Sequence, residues 1–464
     1  MSQFPSLNCS ILRSGRRRGP LALVALGASS FMITLDTTIV NLALPTIGAA
    51  WKANLSELQW IASAYIMVFA SVLLTAGTIT DKLGARRVFL TALGFFTAAS
   101  VGCGLAEGII PLVVARAVQG LGAAAILPSS MALLADAYPD TTKRGRAVGI
   151  WSTISASALV VGPPLGGLLV ETLGWRSIFL INLPVGLIVL ATAAVAVGAP
   201  VCRQRAFDWH GQSLSAVALI SMTFVGIEGN QIGWASPVIL GPVIAAVISS
   251  VAFVIIERRC RHPMLPVELF RSKAFTTSVV ISFVYNIAYY GGLFVLSLAL
   301  QESGISPLRV GILFAPMTLS TAVMAFLCGR LVARFGTMLL ISAGMGLGAV
   351  GTALLLTLGL SPWTMLIAGA FIGAGGASLP AIVATMLGNV PDGRAGIGSG
   401  VLNAGRQVGG ALGVAILGSL LGNASPHRLE LTFAALTLSF VVGAVLSLIG
   451  LEQDEGRADT QDRT

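Results

Sequence analysis

The sequence predicts an all-α polytopic membrane protein with fourteen transmembrane spans. Three observations carry this. Of 464 residues, 55% are hydrophobic and 10% charged, where a soluble domain has about 25% charged. The apolar residues fall in blocks of about 20, the length of a helix that crosses a hydrocarbon core. The blocks are continuous rather than alternating, which excludes an outer-membrane barrel.

In chain order, the spans are expected at roughly 20–48, 58–80, 88–106, 110–136, 147–170, 176–199, 211–229, 237–256, 274–300, 309–329, 337–359, 363–389, 397–422 and 432–451. The first follows Arg16, Arg17 and Arg18 and so imitates a signal peptide. Its run is too long and too many spans follow, so it reads as an uncleaved first helix. The loop after the second span holds Lys82, Arg86 and Arg87, and the loop after the fourth holds Lys143, Arg144 and Arg146. Arg203 and Arg205 follow the sixth, and Arg258, Arg259, Arg261, Arg271 and Lys273 the eighth. Arg330 and Arg334 follow the tenth, Arg394 the twelfth, and Arg457 and Arg463 lie in the tail. The other face has Lys52, Arg309 and Arg428, with Arg176 at a span edge. This asymmetry predicts that both termini are cytoplasmic, in the cell (inner or plasma) membrane. It also accounts for the net charge of +9 as topology control, so no nucleic-acid partner is expected.

Five pairs of residues echo one another 252 positions apart: Gly77 and Gly329, Gly84 and Gly336, Pro128 and Pro380, Pro139 and Pro391, Asp140 and Asp392. Together they predict a duplicated unit. The expected organisation is a cytoplasmic N-terminal segment (1–19) and an N-terminal six-helix bundle (20–199). Two inserted linker helices with their loops (200–273) and a C-terminal six-helix bundle (274–451) follow, then a disordered cytoplasmic tail (452–464).

Within the first span, Asp36 interrupts an apolar run that extends from Leu21 to Phe31 and resumes at Ile39. A carboxylate at membrane depth costs roughly 2.5–3.5 kcal/mol and normally has a partner. Asp36 is therefore the first functional candidate, as a group that takes up and returns a proton. Arg116 is the one basic residue placed deep in the first half, and it is the expected partner.

Four stretches resemble the major facilitator superfamily, specifically its fourteen-span drug:proton antiporter branch. Leu35 to Pro45 looks like that branch's first-helix signature. Gly77-Thr78-Ile79-Thr80-Asp81-Lys82-Leu83-Gly84-Ala85-Arg86-Arg87 resembles the superfamily's loop between spans two and three. The resemblance makes Gly77, Asp81, Gly84, Arg86 and Arg87 a latch between the halves; a plain basic turn is the alternative. Arg116-Ala117-Val118-Gln119-Gly120 is similar to the R-x-x-Q-G motif, whose arginine is linked to proton relay. The alternative there is a static ion pair. Gly162-Pro163-Pro164-Leu165-Gly166-Gly167 resembles the antiporter motif G-P-x-x-G-G, which tracks export; the alternative is ordinary Gly/Pro helix packing. Beside it, Trp175 and Arg176 suit an interfacial anchor.

The second half carries no clearly embedded Asp or Glu. This argues against a multi-proton stoichiometry and a strong preference for dications. Its polar candidates for substrate binding are Tyr285, Asn286, Tyr289 and Tyr290 in span nine, and Asn403, Arg406 and Gln407 in span thirteen. Tyr285 shares a helix face with Tyr289, and Asn286 with Tyr290. These aromatics suit either stacking on a flat or cationic substrate or packing among themselves. Glu228, near the end of span seven, reads as interfacial, or as a second proton candidate if buried.

The functional expectation is a proton-coupled antiporter that exports amphipathic drugs or toxic small molecules by alternating access. The alternative is a dedicated exporter of one metabolite or antibiotic on the same fold. Partners are the small-molecule substrate, protons and membrane lipid, and the expected state is a monomer. No cofactor is expected, and the absence of a Walker-type loop argues against ATP drive. The five cysteines (Cys9, Cys103, Cys202, Cys260 and Cys328) have neither metal-ligand nor disulfide spacing. An intramembrane enzyme would need paired acids, a Ser–Lys or Ser–His dyad, or H-E-x-x-H. The histidines, His210, His262 and His427, lie in loops or at span edges. A transport-dead sensor would need a soluble output domain, and the longest predicted cytoplasmic loop, Glu257 to Lys273, is too short for one.

Overall fold

The computed structural model describes residues 19–198, 208–260, 265–391, 395–422 and 425–461. The expected N-terminal segment up to residue 18, Cys202, Arg203, Arg205, Arg261, His262, Asp392, Arg394 and Arg463 lie outside them. Among the described residues, fourteen helices are long and apolar enough to cross a membrane. They are α1 (Gly19–Trp51), α2 (Leu55–Leu83), α3 (Ala85–Gly104), α4 (Ile109–Ala137), α5 (Thr142–Leu173), α6 (Ser177–Ala196) and α7 (Trp209–Ile232). There follow α8 (Pro237–Arg259), α9 (Lys273–Glu302), α10 (Pro307–Phe335), α11 (Thr337–Leu358), α12 (Pro362–Gly388), α13 (Ile397–Leu421) and α14 (Pro426–Gly450). No strand occurs among the described residues. In hydrocarbon a helix satisfies its own backbone, and a lone strand does not.

Local chemistry sets the ends. Asn54 and Glu57 form a reciprocal cap at the start of α2, and Asp140 accepts from the Lys143 amide ahead of α5. Gly84 (φ 87°) makes the whole turn between α2 and α3, and Gly336 (φ 78°) makes the corresponding turn between α10 and α11. Only glycine adopts that backbone without strain. Three spans are interrupted, at Ile181 in α6, at Phe314 in α10 and at Gly375–Ala377 in α12. Pro184, Pro316 and Pro380 follow these breaks; each lacks the N–H that would bond the carbonyl four residues back. The helix that contains α14 continues to Gln461, where the sequence predicts a tail without structure from 452. Gly456 is the weakest helix former in that polar extension, and no proline stops it.

The packing of α1–α6 recurs in α9–α14. α1 packs on α5 and α6, α2 on α4, and α3 on α4 and α6. Likewise α9 packs on α13 and α14, α10 on α12, and α11 on α12 and α14. Between the two sets, α1 meets α9, α2 meets α13 and α5 meets α10. Each of these contacts maps onto itself or onto another under the same eight-helix shift. α7 lies in the crease between α2 and α13, whereas α8, among the described residues, packs mainly on α7 and touches the short turn Val267–Arg271. The α8 surface is mostly exposed valine, leucine and isoleucine, as a lipid-facing helix requires.

The two sets touch at one end and part at the other. Away from the basic loops, Ser297 donates to the Asn41 carbonyl (2.8 Å), Gln301 to the Leu42 carbonyl (3.1 Å), and the Leu308 amide to Glu171 (3.1 Å). Towards the basic loops a cavity of about 2400 Å³ opens between them.

Candidate functional site

Asp36 sits midway along α1 in a run of polar side chains that mostly satisfy themselves. The Thr37 hydroxyl donates to the Ile33 carbonyl, the Thr38 hydroxyl to the Leu35 carbonyl, and the Asn41 amide to the Thr37 carbonyl. A carboxylate has no such local outlet, since it only accepts. Asp36 therefore finds its partners on other helices.

α4 presents Arg116 and Gln119 one turn apart on the same face. A guanidinium nitrogen of Arg116 bonds Asp36 Oδ2 in a salt bridge buried on both sides. Gln119 Nε2 donates to Asp36 Oδ1 at 2.8 Å, and Asn182 Nδ2, from the break in α6, donates to the same oxygen at 3.2 Å. Gln119 also accepts from Arg116 (2.7 Å) and donates to Ser100 on α3 (2.8 Å). Every group that meets the carboxylate is a donor, a pattern that fits its ionised form. The Arg116 guanidinium lies 4.4 Å above the Tyr65 ring and 5.7 Å from that of Phe179. Those faces cover a cation whose Nη2 has no hydrogen-bond partner. Gly120 makes this approach possible: a Cβ there would lie 2.5 Å from the Tyr65 carbonyl oxygen. Asn182, Ser100, Tyr65 and Phe179 escaped the sequence reading. A lone amide such as Asn182 is common in membrane spans, so nothing in the chain singled it out.

This network is sealed, with Asp36 1% and Arg116 0% exposed. It lies behind the cavity wall, to which α1 contributes Ser30, Ile33, Thr34 and Thr37. All seven expected substrate residues do line the cavity: Tyr285, Asn286, Tyr289 and Tyr290 on α9, and Asn403, Arg406 and Gln407 on α13. The Tyr285 and Tyr289 rings stack at 5.8 Å and 14°, and Tyr290 stands at 88° to Tyr289.

The glycine motifs fall where helices meet. Gly162 and Gly166 face Thr38 and Ile39 of α1, and Gly167 faces the Pro307 backbone of α10. Gly311 meets the Pro163 carbonyl in return. The G-P-P-L-G-G stretch thus lies at the closed end, against both sets of helices. The loop between α2 and α3 carries the basic motif. Arg86 donates to the carbonyls of Ala194 (2.8 Å) and Val197 (3.1 Å), which ties it to the end of α6 in the same set. Gly77 and Asp81 line the open cavity, and Arg87 is exposed. Trp175 departs from the interfacial anchor expected of it. It is buried, edge-on to Trp51 at 4.9 Å, with Arg176 stacked 4.3 Å above it. Arg176 donates to the Ala106 carbonyl and caps the aromatic pair. Glu228 is half-buried near the far end of α7 and accepts from the Trp60 indole at 2.8 Å.

Comparison with known proteins agrees with this architecture. The family model described as Major Facilitator Superfamily matches residues 26–278 and 278–463. A methylenomycin A resistance protein of Streptomyces coelicolor is 36% identical over 93% of this chain and 92% of its own. The multidrug resistance protein Stp of Mycobacterium tuberculosis is 37% identical over 85% and 74% of the two chains. A tetracenomycin C resistance and export protein of Streptomyces glaucescens is 34% identical over 87% and 76%. A crystal structure of the peptide transporter POT covers 93% of this chain and 94% of its own at a TM-score of 0.68 and 15% identity, a likeness of fold alone.

Proposed function

The chain belongs to the major facilitator superfamily, and from that premise we propose that it is a proton-coupled antiporter that exports amphipathic small molecules by alternating access. The observation that carries this is the sealed Asp36–Arg116–Gln119–Asn182 network directly behind the wall of a cavity open at one end. The transporting units are the two six-helix bundles, 20–199 and 274–451, with the segment 200–273 inserted between them. Both termini are cytoplasmic, so the basic face is the inner one and the cavity opens inward.

In this state the carboxylate is held by its cation, as it is after a proton has left towards the cytoplasm. Opening the outer face requires α1 to part from α9, and α5 from α10. A movement of α1 that draws Asp36 from Arg116 leaves a buried anion without its partner, and proton uptake relieves that cost. Protons then enter as substrate leaves, driven by about 2.3 kcal/mol per charge per 100 mV together with the pH gradient. The chain's own groups do the work: Arg116 pairs with the carboxylate, Gln119 and Asn182 orient it, and the cavity holds the cargo. The protein works as a monomer among lipids.

Asp36→Asn keeps the size and most hydrogen bonds of the side chain and removes the proton site. It is expected to insert normally in proteoliposomes and to lose uncoupler-sensitive export. Full export by that variant would refute the coupling role. The names of the methylenomycin A and tetracenomycin C resistance relatives favour a second reading, a dedicated exporter of one antibiotic. A susceptibility panel on a deletion strain separates the two: one compound affected points to the dedicated exporter, many to the broad one.

A further inference from the structure

The cavity has an uneven distribution of charge. Its acidic lining residues sit at its mouth: at the end of α2, at Asp208 before α7, at the end of α9's preceding helix α8, and in the turn 267–271. Arg144, Arg258 and Arg271 sit at that level too. Arg406 is the one charged lining residue within the middle of a span. It forms no ion pair among the described residues, its Nε has no hydrogen-bond partner, and its Nη1 reaches only Asn403 Oδ1 at 3.5 Å. A guanidinium at that depth ordinarily has an anion or water beside it. Two further donors share the same wall. The Tyr285 and Tyr289 hydroxyls are buried and without partners, and the rings behind them lie nearly parallel. Among the described lining residues, no carboxylate lies opposite them in the middle of a span. Asp36 is sealed and occupied by Arg116, and the α1 hydroxyls of Ser30 and Thr34 are engaged with Ser155.

We propose that Arg406, Tyr285 and Tyr289 form the recognition point of the cavity, and that its cargo is a planar organic anion, a carboxylate or acidic enol on a flat ring system. The guanidinium takes the anionic oxygens in a forked pair of bonds, the phenols donate to the remaining acceptors, and the half-buried Tyr290 ring, which lines the same cavity, receives the flat face. This rests on the cavity being the transport path. It also has an electrical consequence. One proton entering as one monoanion leaves moves two charges in the same direction, whereas exchange with a monocation moves none.

The test uses the purified full-length protein in detergent and two probes with one ring system, 2-naphthoate and 2-naphthylmethylammonium. Titration calorimetry is expected to find naphthoate the tighter ligand by about tenfold. In Arg406→Gln that preference is lost, because naphthoate binds more weakly and the ammonium compound binds no more weakly than before. Tyr285→Phe with Tyr289→Phe weakens naphthoate several-fold and serves as the second variant should Arg406→Gln not fold. Equal or tighter binding of the ammonium probe by the unaltered protein, binding of neither probe, or undiminished naphthoate binding by folded Arg406→Gln or by the tyrosine pair would overturn the proposal. Naphthoate binding without uncoupler-sensitive export in proteoliposomes would overturn the transport reading and leave the anion site standing. Export of cationic dyes without naphthoate binding would do the reverse.

Discussion

At the scale of single residues, the Asp36 network divides its labour between charge and orientation. Removing the cation strands a buried anion, for which the expected cost is about 3–5 kcal/mol. Arg116→Gln is therefore predicted to lower the thermal transition of the purified protein strongly. Asp36→Asn in the same chain removes the stranded charge and is predicted to recover most of that loss; a double variant no more stable than Arg116→Gln alone would contradict the pairing energetics. Asn182 contributes one neutral donor at 3.2 Å, a bond of about 0.5–1.5 kcal/mol net. Asn182→Ala should slow export several-fold and leave it sensitive to an uncoupler. Asp36 was legible because an acid is costly in an apolar run, and Arg116 because it was the one deep cation in its half. Asn182 and Ser100 were not, because single amides and hydroxyls are common in spans and only the fold gathers three helices around one carboxylate.

At the scale of elements, glycine and proline decide where helices meet. A side chain at Gly311 would run into the Pro163 carbonyl, just as one at Gly167 would run into that of Pro307. Gly311→Val is predicted to separate α5 from α10 and loosen the closed end. The check is Ser297→Cys in a background without other reactive cysteines. Ser297 is fully buried, so the cysteine should resist a membrane-impermeant maleimide until Gly311→Val is added. α7 shows how an inserted helix is tied in. Near the basic face Gln212 bonds Thr75 and the Ser71 carbonyl of α2. Near the opposite face the Ile227 carbonyl accepts from Ser56 of α2, and the Gly226 carbonyl from Ser419 of α13. α7 is thus fastened to α2 along its length and to α13 at one end. Gln59 crosses the same junction from α2 to the carbonyls of Val414 and Ala415 at 2.9 and 2.8 Å. Loss of such bonds in a membrane protein costs about 0.6–2 kcal/mol. Gln59→Leu is accordingly predicted to raise the labelling of Ser297→Cys, by less than Gly311→Val does.

At the scale of the whole molecule, the repeated packing makes two similar bodies that meet through equivalent surfaces. The bonds between them lie at one end, so the cavity is a wedge whose apex is the G-P-P-L-G-G contact. With the basic face inward, Thr78→Cys on the cavity wall should react with an impermeant maleimide in inside-out vesicles and resist it in right-side-out ones. The reverse pattern would invert this orientation.

The fourteen spans, the acid in the first of them and its arginine were readable from the chain, because hydrocarbon imposes a rule on every residue locally: apolar length for the span, a partner for the charge. The turn glycines at 84 and 336 likewise announced the duplication through their spacing. Tertiary structure alone decided that Trp175 is internal, that Arg86 binds its own half, and that the tyrosines and Arg406 share a cavity wall from which Asp36 is sealed. Those outcomes depend on which helix faces are brought together, and in a membrane a helix face carries little record of its neighbour when lipid and protein interior are equally apolar.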